Sequence, residues 1–260
     1  MKTKKHFGQH FLHDQKVIEK ILALLDVQQS DRIVEIGPGP ATLTKPLHQM
    51  NTHLTVIEID GDMVDFLESS CFNPPIDIIH GDFLKLDLSP ILHCQTKVIS
   101  NLPYNTSVPI TARMLHFSAF IPTMVLMYQK EVAQRIQASV HTRDYGPISV
   151  LTRFFYRVSA HYDVGPGAFQ PPPKVWSRVL KLERLERPLI EPALIPHAQR
   201  LLNALFGKRR KMVRGILKKY GQQNWQTIYN EIGNPTARPE NLSPDFYARW
   251  ITQTEVTKHV

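Results

Sequence analysis

Cysteine is almost missing from this chain: Cys71 and Cys94 are the only two among 260 residues. They are too few and too isolated for a disulfide framework or a zinc site, so we expect reduced cytosolic thiols and no metal. Long hydrophobic runs are missing as well. No stretch approaches the roughly 20 apolar residues of a membrane span, and the basic amino terminus lacks an apolar run of signal-peptide length. The expectation is a cytoplasmic protein with no membrane partner. Internal repeats and low-complexity tracts are absent too. One further absence is local. The turn Gly37-Pro38-Gly39-Pro40 has Thr42 where the third glycine of a dinucleotide fingerprint would stand, and its prolines remove N–H donors that a pyrophosphate needs.

What is present points to a nucleoside without phosphates. Ile33 to Ile36 reads as a short strand leading into the glycine turn, and Ala41 to Met50 has a helical pattern. Strand, tight turn and helix open a nucleotide-binding α/β fold. A second strand, Leu54 to Ile59, carries Glu58, 21 residues after Gly37, the spacing at which a carboxylate reaches ribose hydroxyls. Carboxylates at Glu35 and Asp60 favour a sulfonium cation over a phosphate. S-adenosylmethionine fits these demands, whereas an ordinary glycine turn between strand and helix would explain Gly37 alone. The third strand, Asp77 to His80, ends in Gly81-Asp82-Phe83, where Asp82 is placed to accept an adenine amino group and Phe83 to pack on the ring.

The catalytic end is Asn101-Leu102-Pro103-Tyr104, delivered to the carboxyl edge of the sheet by a fourth strand, Lys97 to Ser100. Ligands bind at that edge in open α/β sheets. Pro103 keeps Leu102 out of helix and stiffens the turn, so that backbone carbonyls point outward. An adenine N6 lone pair is delocalised and weakly nucleophilic. Accepting both of its N–H bonds, one by the Asn101 amide oxygen and one by a carbonyl, favours a pyramidal nitrogen ready for alkylation. Tyr104 offers a stacking surface for the base, and Phe169, in Phe169-Gln170-Pro171-Pro172-Pro173, is read as its opposite wall at the pocket rim. A protein glutamine amide is also a planar NH2 donor, so this turn alone leaves that substrate open. A plain proline turn, with Phe169 covering the core, is the uncatalytic reading.

Charge divides the chain. Residues 1–186 are close to neutral at net +1, and residues 187–260 carry net +7. Between them Arg187, Pro188, Pro192 and Pro196 mark a linker, giving a methyltransferase domain over 1–186 and a helical domain over 187–260. Val175 to Leu185 alternates as a closing strand. Helices are expected over His197 to Phe206 and Arg209 to Tyr220, with Leu205, Val213 and Leu217 inward and Lys218 outward with the basic side chains. Lys208 to Lys219 holds seven basic residues and no acid. Solvated faces mix signs, so Lys208, Arg209, Arg210, Lys211 and Arg214 are read as contacts to a polyanion.

Along nearly its whole length the chain resembles the small-subunit ribosomal RNA adenine dimethyltransferases. The matching stretches are Lys5 to Leu12, Glu35 to Gly39, Val56 to Asp60, Gly81-Asp82, Asn101 to Asn105, Gln129 to Val132, Phe169 to Val175 and Arg209 to Lys211. The resemblance implies a Rossmann-like class I S-adenosyl-L-methionine-dependent methyltransferase of seven or so strands with a small C-terminal helical domain. It implies cofactor contacts at His10, Leu12, Gly37, Glu58, Asp82 and Asn101. It further implies N6,N6-dimethylation of two adjacent adenosines in the 3′-terminal hairpin of 16S rRNA, in an assembling 30S particle, by a monomer with a role in small-subunit biogenesis. Three alternatives stand beside it: a 23S rRNA methyltransferase of the antibiotic-resistance type, a protein glutamine methyltransferase, and a non-enzymatic assembly factor. Two departures are visible. His10 replaces the family's usual Asn, giving an imidazole contact to the cofactor in place of a carboxamide, and Ala41 stands where many members have glycine.

Overall fold

The computed structural model describes residues 10–50, 52–219, 230–234 and 236–256, and side chains are not described at 217–219 and 254–256. Lys5 to Gln9 of the first matching stretch, with Leu217 and Lys218 of the basic helix, therefore lie outside what is described here. The chain divides into two compact units, one of residues 1–133 and 158–184, the other of residues 134–157 and 185–260.

The first unit is built on a parallel sheet. Strands β2 (Arg32–Ile36), β3 (His53–Glu58), β4 (Asp77–His80), β5 (Lys97–Asn101) and β6 (Thr123–Gln129) take the order β4-β3-β2-β5-β6, all parallel, followed by β9 (Ser177–Arg184) and β7 (Tyr156–Val164). The order reverses between β2 and β5. That switch point opens a crevice at the carboxyl ends of the strands, where the glycine turn and Asn101 lie. Strand β9 pairs antiparallel with β6 from Thr123↔Glu183 to Gln129↔Ser177, as its alternating pattern predicts. Strand β6 reads Thr-Met-Val-Leu-Met-Tyr-Gln and is buried from Met124 to Tyr128, as expected of a central strand covered on both faces.

Helix α1 (Gln15–Leu25) is amphipathic, with Ile18, Ile21, Leu22 and Leu25 buried. Each such side chain contributes about 1.5–3 kcal/mol when fully buried. The Asp14 carboxylate accepts from the Lys16 and Val17 amides and starts the helix. Helix α2 (Thr44–Gln49) begins three residues later than the sequence pattern predicts. Ala41 is the reason. Its φ of +62° is left-handed, a conformation that costs an L residue about 1–2 kcal/mol and that no helix continues through. A glycine would adopt it freely, so the alanine that stands where many members have glycine is a strained member of the turn and not the start of the helix.

A two-stranded ribbon closes one side of the crevice: β1 (Phe11–Leu12) pairs antiparallel with β8 (Phe169–Gln170), Leu12 opposite Phe169. Directly opposed residues in such a pair share a face. Leu12 and Phe169 turn inward, to 3% and 1% exposure, in a cluster with Val164, Ala168 and Val179. Phe169 is therefore a core residue and not the exposed wall of a base sandwich expected from the sequence.

In the second unit, α6 (Pro147–Phe155) packs on α7 (Ile195–Phe206) and on α9 (Pro244–Val256), burying Val150, Leu151, Phe154 and Phe155. This apolar face explains why residues 134–157, expected in the first domain, belong with the second. The other boundary, between 184 and 185, falls two residues before the expected cut. Helix α8 runs from Val213 to Lys219, with Val213 and Ile216 buried. Residues 207–211 form turns, so Arg209 to Lys211 are not the first turn of a helix as expected.

Candidate active site

Gly37 and Gly39, both left-handed at φ +67° and +53°, bend the chain sharply after β2. A Cβ on Gly37 would meet nothing within 4 Å, whereas one on Gly39 would lie 3.1 Å from the Phe11 ring. The donors of this turn are already used. Gly37 N–H bonds Ile57 O at 2.9 Å, Ala41 N–H bonds Pro38 O at 3.1 Å, and Gly39 N–H bonds Glu58 Oε2 at 3.1 Å, while Pro38 and Pro40 have no N–H. A phosphate finds no amide here, whereas a phosphate-free nucleoside meets open space over Gly37.

Glu58 is 4% exposed. Besides Gly39, its carboxylate accepts from the Ile59 and Asp60 amides at 2.8 and 2.9 Å through Oε1. Burial leaves its pKa raised, against the three backbone donors that lower it and with neighbouring Asp60 raising it further. The side chain is thus a structural cross-link between the glycine turn and the end of β3 as well as a pocket wall. Both oxygens are thus engaged, Oε1 twice and Oε2 once, which leaves Oε2 the freer acceptor.

These groups line one cavity of about 270 Å³, together with His10, Phe11, Leu12, Glu35, Asp82, Phe83, Asn101, Leu102, Pro103 and Tyr104. All the expected cofactor residues meet there, and four of the five expected catalytic ones. Phe169 is the exception. Asp82 accepts from Leu84 N–H through Oδ1 at 2.9 Å, and its Oδ2 lies 3.4 Å from the Lys85 ammonium, next to buried Phe83.

Asn101 sits at the end of β5, held from both sides. Its Nδ2 donates to His10 O at 3.0 Å, which leaves the amide oxygen as the acceptor. Leu102 N–H bonds Met127 O at 3.2 Å, Pro103 O accepts from Thr106 N–H at 3.1 Å, and Tyr104 O accepts from the Ser107 hydroxyl at 3.1 Å. With those two carbonyls occupied, Leu102 O is a backbone acceptor of the turn with no bond among the described residues. The Tyr104 hydroxyl meets Ser177 Oγ at 2.8 Å, and its ring lies 5.6 Å from that of His10. Ser177 escaped the sequence reading because its role arises only from the pairing of β9 with β6.

The sequence pattern of the ribosomal RNA adenine dimethylases matches residues 1–253. The chain belongs to the ribosomal RNA adenine dimethylase family. Ribosomal RNA small subunit methyltransferase A of Acinetobacter baylyi is 39% identical over 250 residues, covering 93% of this chain and 89% of that protein. The protein of the same name from Pseudomonas aeruginosa is 36% identical over 256 residues, with 97% and 94% coverage. Among solved structures, a dimethyladenosine transferase from Plasmodium falciparum superposes with a TM-score of 0.80 at 23% identity, over 96% of this chain and 98% of that one. The 23S rRNA methyltransferase ErmE gives 0.68 at 23% identity, over 94% and 99%. The fold is that of the class I methyltransferases, and the chain is an S-adenosyl-L-methionine-dependent rRNA adenine dimethyltransferase.

The family departure at His10 and the buried Glu35 now have a structural meaning. The His10 imidazole donates from Nδ1 to Pro171 O at 2.8 Å, while the His10 backbone carbonyl holds Asn101. One ring nitrogen is thus engaged by the proline loop, while His10 stays in the lining of the cavity. Glu35, 2% exposed, accepts from the Thr44 hydroxyl at 2.8 Å. Burial pushes its carboxyl up to about 8, against the Thr44 bond that lowers it and with neighbouring Glu58 pushing it further up. At neutral pH this group is therefore largely neutral and not the carboxylate expected beside a sulfonium.

A folded pKa above the ordinary 4.5 means that the folded state holds this proton more tightly. The contribution is complete below about pH 4.5 and is lost as pH rises through about 8. Glu35→Gln removes the titration and keeps the shape. Its thermal midpoint should exceed the parent's at about pH 9 and converge on it toward about pH 5. Midpoints that stay parallel across that range would show that Glu35 does not titrate there.

The basic segment divides into two kinds of residue. The Arg209 guanidinium bonds Glu240 and the carbonyls of Thr142, at 2.9 Å, and of Arg143. It ties three segments of the second unit together, so its expected role as a phosphate contact is corrected to a structural one. Arg210, Lys211 and Arg214 are exposed and Lys208 is half-buried. Arg209→Ala should lower the thermal midpoint by about 4–8 °C, an effect of ~1–2 kcal/mol for a partly exposed charge cluster. Lys211→Ala should leave it within about 1 °C. Differential scanning fluorimetry of the two variants checks the division, and equal midpoints would remove Arg209 from the scaffold.

Proposed function

We propose that this enzyme transfers methyl groups to N6 of two adjacent adenosines in the 3′-terminal hairpin of 16S rRNA, acting as a cytoplasmic monomer on the 30S particle or its precursor during small-subunit biogenesis. The observation that carries the reading is Asn101, its Nδ2 held on His10 O, lining one pocket with Leu102, Glu58 and Asp82, in a chain whose relatives at 34–39% identity are named for the small ribosomal subunit. Likeness to ErmE, at 23% identity, supports the fold and not its substrate. Among the described residues no helix is long and apolar enough to cross a membrane.

The cofactor supplies an electrophilic methyl group on a sulfonium; Gly37 gives it room, Glu58 and Asp82 supply acceptors, and Phe83 supplies an apolar wall. The remaining work falls to the acceptor turn. Asn101 Oδ1 and Leu102 O accept the two N–H bonds of the adenine amine and hold its lone pair out of the ring plane. Tyr104, steadied by Ser177, stacks on the base, a contact worth about 1–3 kcal/mol. No strong base is required, because the nitrogen becomes acidic on alkylation and releases its proton to solvent. Catalysis rests on positioning. For the second transfer only one N–H remains, so one acceptor must release its donor and admit a methyl group.

Tritiated methyl transfer tests the assignment. Particles of 30S from a strain lacking the dimethyl modification should take up about four methyl groups each, whereas 23S rRNA and protein should take up none. Label on 23S rRNA, or on glutamine of a protein, would overturn it.

Phosphate contacts come from Arg210, Lys211 and Arg214. Replacing Arg210 and Lys211 together with Ala should weaken 30S binding and flatten its salt dependence by about two phosphates' worth, near 1.8 in the slope of log affinity against log salt. An unchanged slope would mean that this is a solvated face and not a contact.

A further inference from the structure

With Phe169 withdrawn into the core, a second aromatic surface near the catalytic edge, besides Tyr104, belongs to Trp176. It is 53% exposed, beside Val175 at 39%. A lone exposed apolar side chain is ordinary, but adjoining ones beside a site are informative. Trp176 precedes Ser177, the residue that holds the Tyr104 hydroxyl, and its carbonyl accepts from Lys130 N–H at 2.9 Å at the end of β6. Adjacent strand residues face opposite ways. Ser177 therefore turns inward to the acceptor turn, and the indole turns outward on the same edge.

The ring is held and not loose. Its six-membered part lies against Gly165, 3.7 Å from where a Cβ would stand, and the Lys130 ammonium sits over it, 5.7 Å from the centroid. Lys130 is itself fixed by Asp163 Oδ2 at 2.8 Å, and Arg178 binds Asp163 Oδ1 at 2.5 Å. Exposed Lys174 lies two residues before Trp176. Against these three cations stand Asp163 and Glu131, so the surroundings keep a net positive charge. A pre-ordered indole among cations at the mouth of a base-modifying site suits a single-stranded nucleic acid, which offers a π-face and a phosphate together.

We propose that Trp176 is an RNA-binding residue on which a nucleotide neighbouring the target adenosine stacks, with Lys130 and Lys174 beside its phosphate. The proposal rests on the function assigned above and names how that site holds its RNA outside the pocket. An adenosine extruded from its stack leaves its neighbours unstacked, and a fixed aromatic beside the pocket restores that stacking on the protein side.

Steady-state methylation of 30S particles by the full-length chain decides it. Trp176→Ala should raise KM for 30S about tenfold, or ~1.4 kcal/mol, as expected for one base on one aromatic. Its kcat and cofactor affinity should stay within about twofold of the parent, and Trp176→Phe should recover KM to within about threefold. A KM unchanged in Trp176→Ala, with an active parent, overturns this proposal and leaves the assigned function standing. A parent that transfers no methyl to 30S overturns both. Photocrosslinking from benzoylphenylalanine at position 176 should label 16S rRNA; a crosslink to a ribosomal protein instead would assign the indole to a protein contact and overturn the proposal.

Discussion

Asn101→Ala should slow methyl transfer by about 10²- to 10³-fold, the loss found when one preorganised polar group at a reacting centre is removed. The amide oxygen is aimed because Nδ2 is anchored on His10 O at 3.0 Å and because the side chain leaves the end of β5 between two bonded strands. Truncation removes both the acceptor and the anchor. The acceptor acts most strongly where the nitrogen becomes pyramidal, so kcat falls while KM for 30S moves little. Single-turnover transfer with saturating 30S reads the chemical step directly. A rate within about twofold of the parent would place the amine elsewhere. Losing the anchor bond should cost ~1 kcal/mol of stability, too little to unfold the unit and easily separated from the kinetic effect.

Glu58→Ala should do more than weaken cofactor binding. Three backbone amides, those of Gly39, Ile59 and Asp60, point at this carboxylate from a largely buried position. Alanine leaves them without that acceptor, at a cost of about 1–3 kcal/mol for a buried donor. We expect the first unit to lose roughly 3 kcal/mol in all, since the amide of Ile59, an exposed residue, regains part of the loss from water. Cofactor affinity should fall at least about tenfold, because the left-handed turn at Gly37 and Gly39 is tied to β3 through the same side chain. Glu58→Gln separates the two roles. Its amide oxygen keeps an acceptor for one side of the cross-link, so stability should recover partly and affinity less. Calorimetric titration together with thermal melts reads both. Full affinity in a folded Glu58→Ala chain would remove this residue from the site.

Local chemistry made much of this protein legible. Gly37 and Gly39 announced a turn only left-handed residues make, and the spacing to Glu58 followed from the length of one helix and one strand. Asn101-Leu102-Pro103-Tyr104 carried its chemistry within four consecutive residues, so no knowledge of packing was needed to read it. Phe169 shows the opposite case. In sequence it is an aromatic before three prolines, and nothing local distinguishes a rim residue from a core residue. Pairing with Leu12, 157 positions away, turned it inward. Arg209 failed in the same way: a basic run looks uniform until Glu240 and the Thr142 carbonyl, far along the chain, take one guanidinium out of it.

By itself, then, the chain determined the strand, turn and helix that open the pocket, the arrival of Asn101 at the carboxyl edge of the sheet and the concentration of basic charge in its last 74 residues. These rest on backbone constraints and functional groups close together in sequence. The tertiary structure decided which of those groups stay available. It withdrew Phe169 and the Arg209 guanidinium, engaged Glu58 with three amides, neutralised Glu35 by burial, moved residues 134–157 into the second unit and left Trp176 open at the catalytic edge. Each outcome depends on long-range pairing and on desolvation, which act between residues that only the folded chain brings together.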